Sequence, residues 1–180
     1  MEITGKTLYQ DVDVATAKYN AAGLKSVSTI VRAEHNSEVK VDATQRLEAK
    51  STPDGWHVPS DAEWTELENY VSSQSQYVCG GDEDNIAKAL ASEEGWDSST
   101  NNCAVSNNPS ANNATGFSAR PAGFYNDDYN NFGYNANFWS ATQYNSDTAY
   151  NRHLYFFYAT VGRYYYDKNN NGYSVRCVRN

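Results

Sequence analysis

The run Tyr155-Phe156-Phe157-Tyr158, followed by Tyr164-Tyr165-Tyr166-Asp167, constrains this chain more than any other feature. It lies in a C-terminal segment of Tyr, Asn, Asp, Ser, Gly and Phe. A core of that composition is hard to build, because every buried phenol needs a partner for its hydroxyl. The same mixture suits a contact surface: Tyr and Phe give large rigid area at low entropic cost, and Asn, Ser and Gly adapt their hydrogen bonds. Neighbours on a strand also point to opposite faces. In Phe156-Phe157 and Tyr164-Tyr165-Tyr166 some rings must then face outward unless both sides are covered, and display on loops is the simpler expectation.

The core must therefore come from elsewhere, and one helix announces itself. Ser60 stands as an N-cap with Glu63 three residues on, a capping box. Trp64, Leu67 and Val71 recur at helical spacing, so the spacing predicts a helix to about residue 72, with Glu63, Glu66 and Glu68 facing water. A second helix is expected over 85–91, capped by Asp84, with Ile86, Ala89 and Leu90 inward. Residues 12–22 read as a short helix or turn ended by Gly23, and 25–31 as a strand. The stretch 32–51 carries little pattern. After Trp96, residues 97–113 form a polar loop without periodicity. Strands are expected at 117–124, 137–141, 152–158 and 173–178. Helices followed by strands, with long loops between, predict a single α+β domain over 1–180.

Charge and cysteine count exclude several classes. A net charge of −8 with no basic patch disfavours nucleic acid, Arg176 and Arg179 being isolated. No apolar run is long enough for a membrane span, and Met1-Glu2-Ile3-Thr4 lacks a signal-peptide pattern, which leaves export open. The three cysteines, Cys79, Cys103 and Cys177, allow one bridge at most; Cys79 and Cys103 bracket a polar stretch and could pair, although free or loosely paired thiols are the plainer reading. They form no C-x-x-C pair, and His35, His57 and His153 are scattered, so no zinc site is expected. Asp167 to Gly172 opens like a calcium loop, but Val178 stands where the bidentate Glu belongs, so a tight Asn-rich turn is expected. Asp127-Asp128 and Asp82-Glu83-Asp84 read as solvated charge. No cofactor is expected.

Gly55-Trp56-His57-Val58-Pro59-Ser60-Asp61-Ala62-Glu63-Trp64, Gly116-Phe117-Ser118-Ala119, Phe138-Trp139-Ser140-Ala141-Thr142 and Gly172-Tyr173-Ser174-Val175-Arg176-Cys177-Val178 together resemble the Fibrobacter succinogenes major paralogous domain. The match runs from about residue 56 to 180, with a fainter likeness over 11–23. One departure is that Ser51-Thr52-Pro53-Asp54 precedes Gly55-Trp56, where the family often has a Cys that would partner Cys177. The resemblance implies a C-type-lectin-like fold, with two helices packed on a small, irregular antiparallel sheet and long loops. It also implies that Trp56, Trp64, Trp96 and Trp139 fill the core and that His57 belongs to the scaffold. In the same fold class are the variable proteins of diversity-generating retroelements, whose C-terminal Asn codons are randomised.

This chain resembles one of them. Tyr144, Asn145, Asp147, His153, Tyr155, Phe156, Phe157, Tyr158, Gly162, Tyr164, Tyr165, Tyr166 and Asp167 are each Asn or reachable from an Asn codon through its adenines, and they lie between fixed-looking motifs. The resemblance thus implies a variable region over about 144–171 that binds a protein or glycan on a cell or host surface. The chain would act outside the cell, on a cell surface or a virion. Catalysis is not expected: the thiol pair of the related formylglycine-generating enzymes is not evident, and no triad partner for His57 stands out. The alternative is a surface or carbohydrate-associated domain of the same family without a diversified site.

Overall fold

The computed structural model describes residues 55–180, together with the backbone of Ser26–Thr29. The element read at 12–22 and the stretch 32–51 lie outside the described residues. In chain order the elements are β1 (Ser26–Thr29), β2 (Trp56–His57), α1 (Asp61–Ser72), α2 (Ala87–Leu90), β3 (Phe124–Asn126), β4 (Asp128–Asn130), β5 (Asn135–Gln143), β6 (Thr148–Tyr155), β7 (Gly162–Asp167) and β8 (Val175–Arg179). The architecture is α+β, with few helices and small antiparallel sheets. One sheet has the order β1-β8-β2, a second is the β3-β4 hairpin, and the third has the order β5-β6-β7.

Helix α1 begins where the sequence says it must. Ser60 Oγ accepts from the Glu63 N–H, and the Glu63 carboxylate accepts from the Ser60 N–H at 2.8 Å, so two orphan donors of the first turn are satisfied. Trp64, Leu67 and Val71 are buried on one face. Glu68 does not face water, as its position suggested; it pairs with the buried Arg152. Helix α2 is a single turn, shorter than expected. Asp84 does not cap it: the N-cap position is Ile86, two residues on, and the Asp84 N–H bonds the Asp82 side chain in a tight turn before the helix.

The main core lies between α1, α2 and one face of β5-β6. The rings of Trp64, Phe117 and Phe138 meet pairwise at 5.8–5.9 Å. Around them pack Leu67, Val71, Ile86, Leu90, Val105 and Leu154. Ala87, Ala89 and Ala91 let the backbone of α2 approach closely, and the Ala87 N–H bonds the Ala159 carbonyl at 2.9 Å. A smaller cluster holds Trp139, Ala149 and Tyr173; another holds Val58, Val175 and Cys177 beside Trp56. Trp64 and Trp139 are thus core, while Trp56 and Trp96 are only half-buried.

The polar loop is better anchored than its composition suggests. Cys79 and Cys103 form a disulfide, with Cα atoms 5.6 Å apart, and Cys177 is free and buried. Buried Asn112 donates to the carbonyls of Ser92 and Val105 at 2.9 Å each, and Thr115 Oγ1 donates to that of Ala89 at 2.6 Å. These side chains satisfy carbonyls that no sheet reaches. The strand expected at 117–124 is mostly absent, because Ser118 and Gly123 adopt positive φ (55° and 68°) and break the extended run. At Gly123 a Cβ would stand 2.0 Å from the Asn130 carbonyl, so the close approach of β3-β4 requires glycine there.

Arg176 is no isolated surface charge. Its guanidinium lies 3.6 Å from the centre of the Phe117 ring and donates to the Phe117 carbonyl. Among the described residues no helix is long and apolar enough to cross a membrane.

Candidate binding site

Strand β6 runs between β5 and β7, and its register sorts the C-terminal aromatics onto two faces. Asn151 pairs with Tyr164, Tyr150 with Tyr165, Arg152 with Arg163 and His153 with Gly162. On the β5 side, Asn137 pairs with His153 and Phe138 with Arg152. Because side chains alternate, Tyr150, Arg152, Arg163 and Tyr165 share the face that meets α1. Asn151, His153, Tyr155, Tyr164 and Tyr166 share the opposite face.

On the α1 face two arginines meet one carboxylate. Arg152, with no exposed side-chain surface, donates to Asp61 Oδ1 at 2.6 Å, to Thr65 Oγ1 at 3.0 Å and to the Glu68 carboxylate. Arg163 grips the same Asp61 in fork fashion, Nε to Oδ1 at 2.9 Å and Nη2 to Oδ2 at 2.8 Å. Burial alone would raise the pKa of Asp61, but the hydrogen bonds from Arg163 and Arg152 outweigh it and hold the carboxyl below its ordinary range. For Glu68 burial wins over Arg152 and the pKa is raised. The Arg163 guanidinium also lies 4.1 Å from the centre of the Tyr150 ring. Beyond it Tyr144 stacks flat on Tyr165, with centroids 3.9 Å apart, and Tyr150 meets both edge-on.

On the opposite face the rings form a ribbon. Tyr155 and Tyr164 flank His153 at 5.6 and 5.7 Å, Tyr164 meets Tyr166, and Tyr166 meets Tyr173, which stacks on the buried Trp139. Gly162 shapes this ribbon by lacking a side chain: a Cβ there would stand 2.5 Å from the Tyr164 ring, which leans back over it. Burial holds His153 neutral, its pKa pushed down to about 4. At the end of β6, Tyr155, Phe156, Phe157 and Tyr158 pack on one another, and Phe156 meets Tyr134 at 4.8 Å. The Val105 and Ser106 N–H groups bond the Tyr158 and Phe156 carbonyls, tying this turn to the segment that follows Cys103.

The expected residues therefore divide into three kinds. Tyr144, Tyr158, Tyr164, Tyr165 and Tyr166 are large and 44–50% exposed, and Asp147 is exposed as well. His153, Tyr155, Phe156 and Phe157 are half-buried beneath or beside them. Asn145, Asp167 and Gly162 serve the backbone: Asn145 Oδ1 accepts from the N–H groups of Asp147 and Thr148, and Asp167 Oδ1 from those of Asn169 and Asn170. The last contacts make 167–171 the Asn-rich turn expected there.

Display differs in one respect from expectation. Tyr164, Tyr165 and Tyr166 stand on a regular edge strand, not a loop. Among the described residues β7 has no further strand beyond it, so its outer edge is open, and its side chains from Arg163 to Tyr166 are exposed on both faces. The sequence reading missed Tyr150, Arg163, Phe132 and Tyr134, of which Phe132 is 60% exposed. Tyr150 and Arg163 were legible only through pairing with their neighbours. Phe132 and Tyr134 precede the stretch 144–171, and only their aromatic character marked them.

His57 sits apart from this surface. Its ring nitrogens face Glu63 Oε1 at 2.7 Å and Asn180 Oδ1 at 2.5 Å, joining the first turn of α1 to the last residue. Burial lowers its pKa, but both hydrogen bonds and the carboxylate charge overcome this and raise it. Glu63 is the carboxylate partner that sequence alone did not reveal.

Among known protein families, the model of the Fibrobacter succinogenes major domain matches residues 6–179. No curated protein matches the chain. No solved structure matches it either.

Proposed function

The chain belongs to the Fibrobacter succinogenes major domain family, and from that premise we propose that it is a ligand-binding display protein. In this reading it is a variable protein of a diversity-generating retroelement, built on a C-type-lectin-like fold. A rigid scaffold holds a contact surface made by residues over about 144–171. The ligand is a protein or glycan on another cell or a host, met outside the cell. The observation that carries the reading is the exposure of Tyr164, Tyr165 and Tyr166 on the edge strand β7, with Tyr144 just past β5 and Tyr158 just past β6 exposed as well. Exposed tyrosines in contact with one another, rimmed by Asn and Asp, have the make-up of a paratope. A patch of this kind on a soluble surface is a mark of interaction.

Binding is favoured over turnover by the state of the free thiol. Cys177 is buried, and burial pushes its pKa up to about 11, the reverse of an activated thiolate.

The test replaces Tyr144, Tyr164, Tyr165 and Tyr166 by Ala in one variant and screens it with the parent on a glycan array and on whole-cell panels. The melting temperature should change by less than about 5 °C, since half-exposed rings contribute little to the core, while any binding seen for the parent disappears. Unfolding of the variant would assign the rings to the core and end the reading. A second reading, a family member with a fixed surface, is favoured by the backbone duties of Asn145 and Asp167, which tolerate few replacements. An Asn-codon-rich near-copy of the 3′ coding segment in the flanking DNA distinguishes the first reading from the second.

A further inference from the structure

Strand β7 offers its backbone as well as its rings. The Lys168 N–H bonds the Asp147 carbonyl at 3.0 Å, and the register from there pairs Tyr166 with Ala149, Tyr164 with Asn151 and Gly162 with His153. Antiparallel pairs alternate between exchanging both bonds and none. Gly162, Tyr164 and Tyr166 therefore turn their N–H and C=O groups toward β6. Arg163 and Tyr165 turn theirs away, and neither backbone has a partner among the described residues.

Such an edge is ordinarily guarded by Lys, Pro, a bulge or an inward charge. This one has no Pro or Lys between Gly162 and Asp167, and it pairs with β6 over six residues without a break. Its two charges are engaged: Arg163, though 48% exposed, is paired with Asp61, and Asp167 is folded into its own turn. Meanwhile Tyr164 and Tyr166 stand out on one face and Tyr165 on the other, so an added strand meets rings on both sides.

We propose that this edge captures an extended peptide segment of a protein ligand by β-strand addition, the segment pairing with the backbone of Arg163 and Tyr165 while its alternate side chains lie against Tyr164, Tyr165 and Tyr166. Backbone pairing supplies affinity common to any strand, and the rings select among side chains. The net charge of −8 favours a neutral or basic segment and opposes a second copy of this chain in the same place. The inference rests on the binding reading above and narrows its ligand to a polypeptide.

The test selects binders to the full chain from a phage-displayed library of linear twelve-residue peptides, with a glycan array in parallel. The best peptide is then titrated against the parent, Tyr165→Ala and Tyr165→Pro. Both substitutions remove the ring, but only proline removes the outward N–H, a change that edge strands tolerate. The expected result is a further loss of at least about tenfold for proline relative to alanine, with amide exchange at Arg163 and Tyr165 slowed by the peptide. Should Tyr165→Pro fail to fold, the exchange measurement on the parent decides alone. Equal affinities for the two variants, unslowed amides, binding to glycans only, or dimers in sedimentation joined through this strand would each overturn the inference. Selected peptides whose binding ignores Tyr→Ala changes at 164–166 would instead overturn the broader binding reading.

Discussion

One carboxylate, Asp61, holds two guanidiniums on two strands, and one of these is fully buried. Its replacement by Ala leaves Arg152 with Glu68, Thr65 and the residue-61 carbonyl, a buried charge with one counter-ion fewer. The expected loss is about 3 kcal/mol, measurable by urea unfolding. His153 makes a prediction of its own. Burial depresses its pKa from the ordinary 6.5 to about 4, so the unfolded chain takes up a proton before the folded one does. Its contribution is complete above pH 6.5 and is lost as pH falls toward 4, about 3 kcal/mol in all. A His153→Gln variant should show a flatter stability profile across that window in denaturant melts. Neither residue was fully legible in the sequence. Asp61 stood in the resemblance motif with no role of its own and His153 read as a surface candidate, because contacts with another strand have no local signature.

Helix α1 was legible to the residue, and the reason is local: cap, box and apolar stripe all lie within thirteen consecutive positions. Ser60→Ala should cost about 1 kcal/mol by removing the acceptor for the Glu63 N–H, seen as a lower urea midpoint with an unchanged slope. Strand β7 escaped the same kind of reading. Its Tyr164-Tyr165-Tyr166 run shows no alternation, and what makes it a strand is the β6 backbone beside it. Helix α2 is one turn that starts after Ile86, with residues 82–85 in a turn where Asp84 was expected to cap. Propensity named these segments, and partners distant in sequence decided their form.

Across the whole molecule, chain order is crossed by a few long-range ties. Strand β8 runs between β1 and β2, and the Trp139 N–H bonds the Ser174 carbonyl at 3.0 Å, joining two of the sheets. The disulfide closes a loop with a sequence separation of 24; within it Asn101 Nδ2 donates to the Phe157 carbonyl at 3.2 Å, and just beyond it the Val105 and Ser106 N–H groups bond the Tyr158 and Phe156 carbonyls. Cys103→Ser should lower stability by roughly 3 kcal/mol through loop-closure entropy, read as a lower melting temperature and as faster proteolysis between Cys79 and Cys103. The α+β character and the motif order were plain in the sequence; the two-sided presentation of the rings was not, since it follows from where β7 falls in the sheet. That arrangement has a practical corollary for engineering. Odd-numbered positions 163 and 165 and even-numbered positions 164 and 166 form separate panels, with the sheet backbone between them. Libraries built on one panel can be combined with libraries built on the other, and double-mutant cycles between the panels measure how strongly the two sets couple.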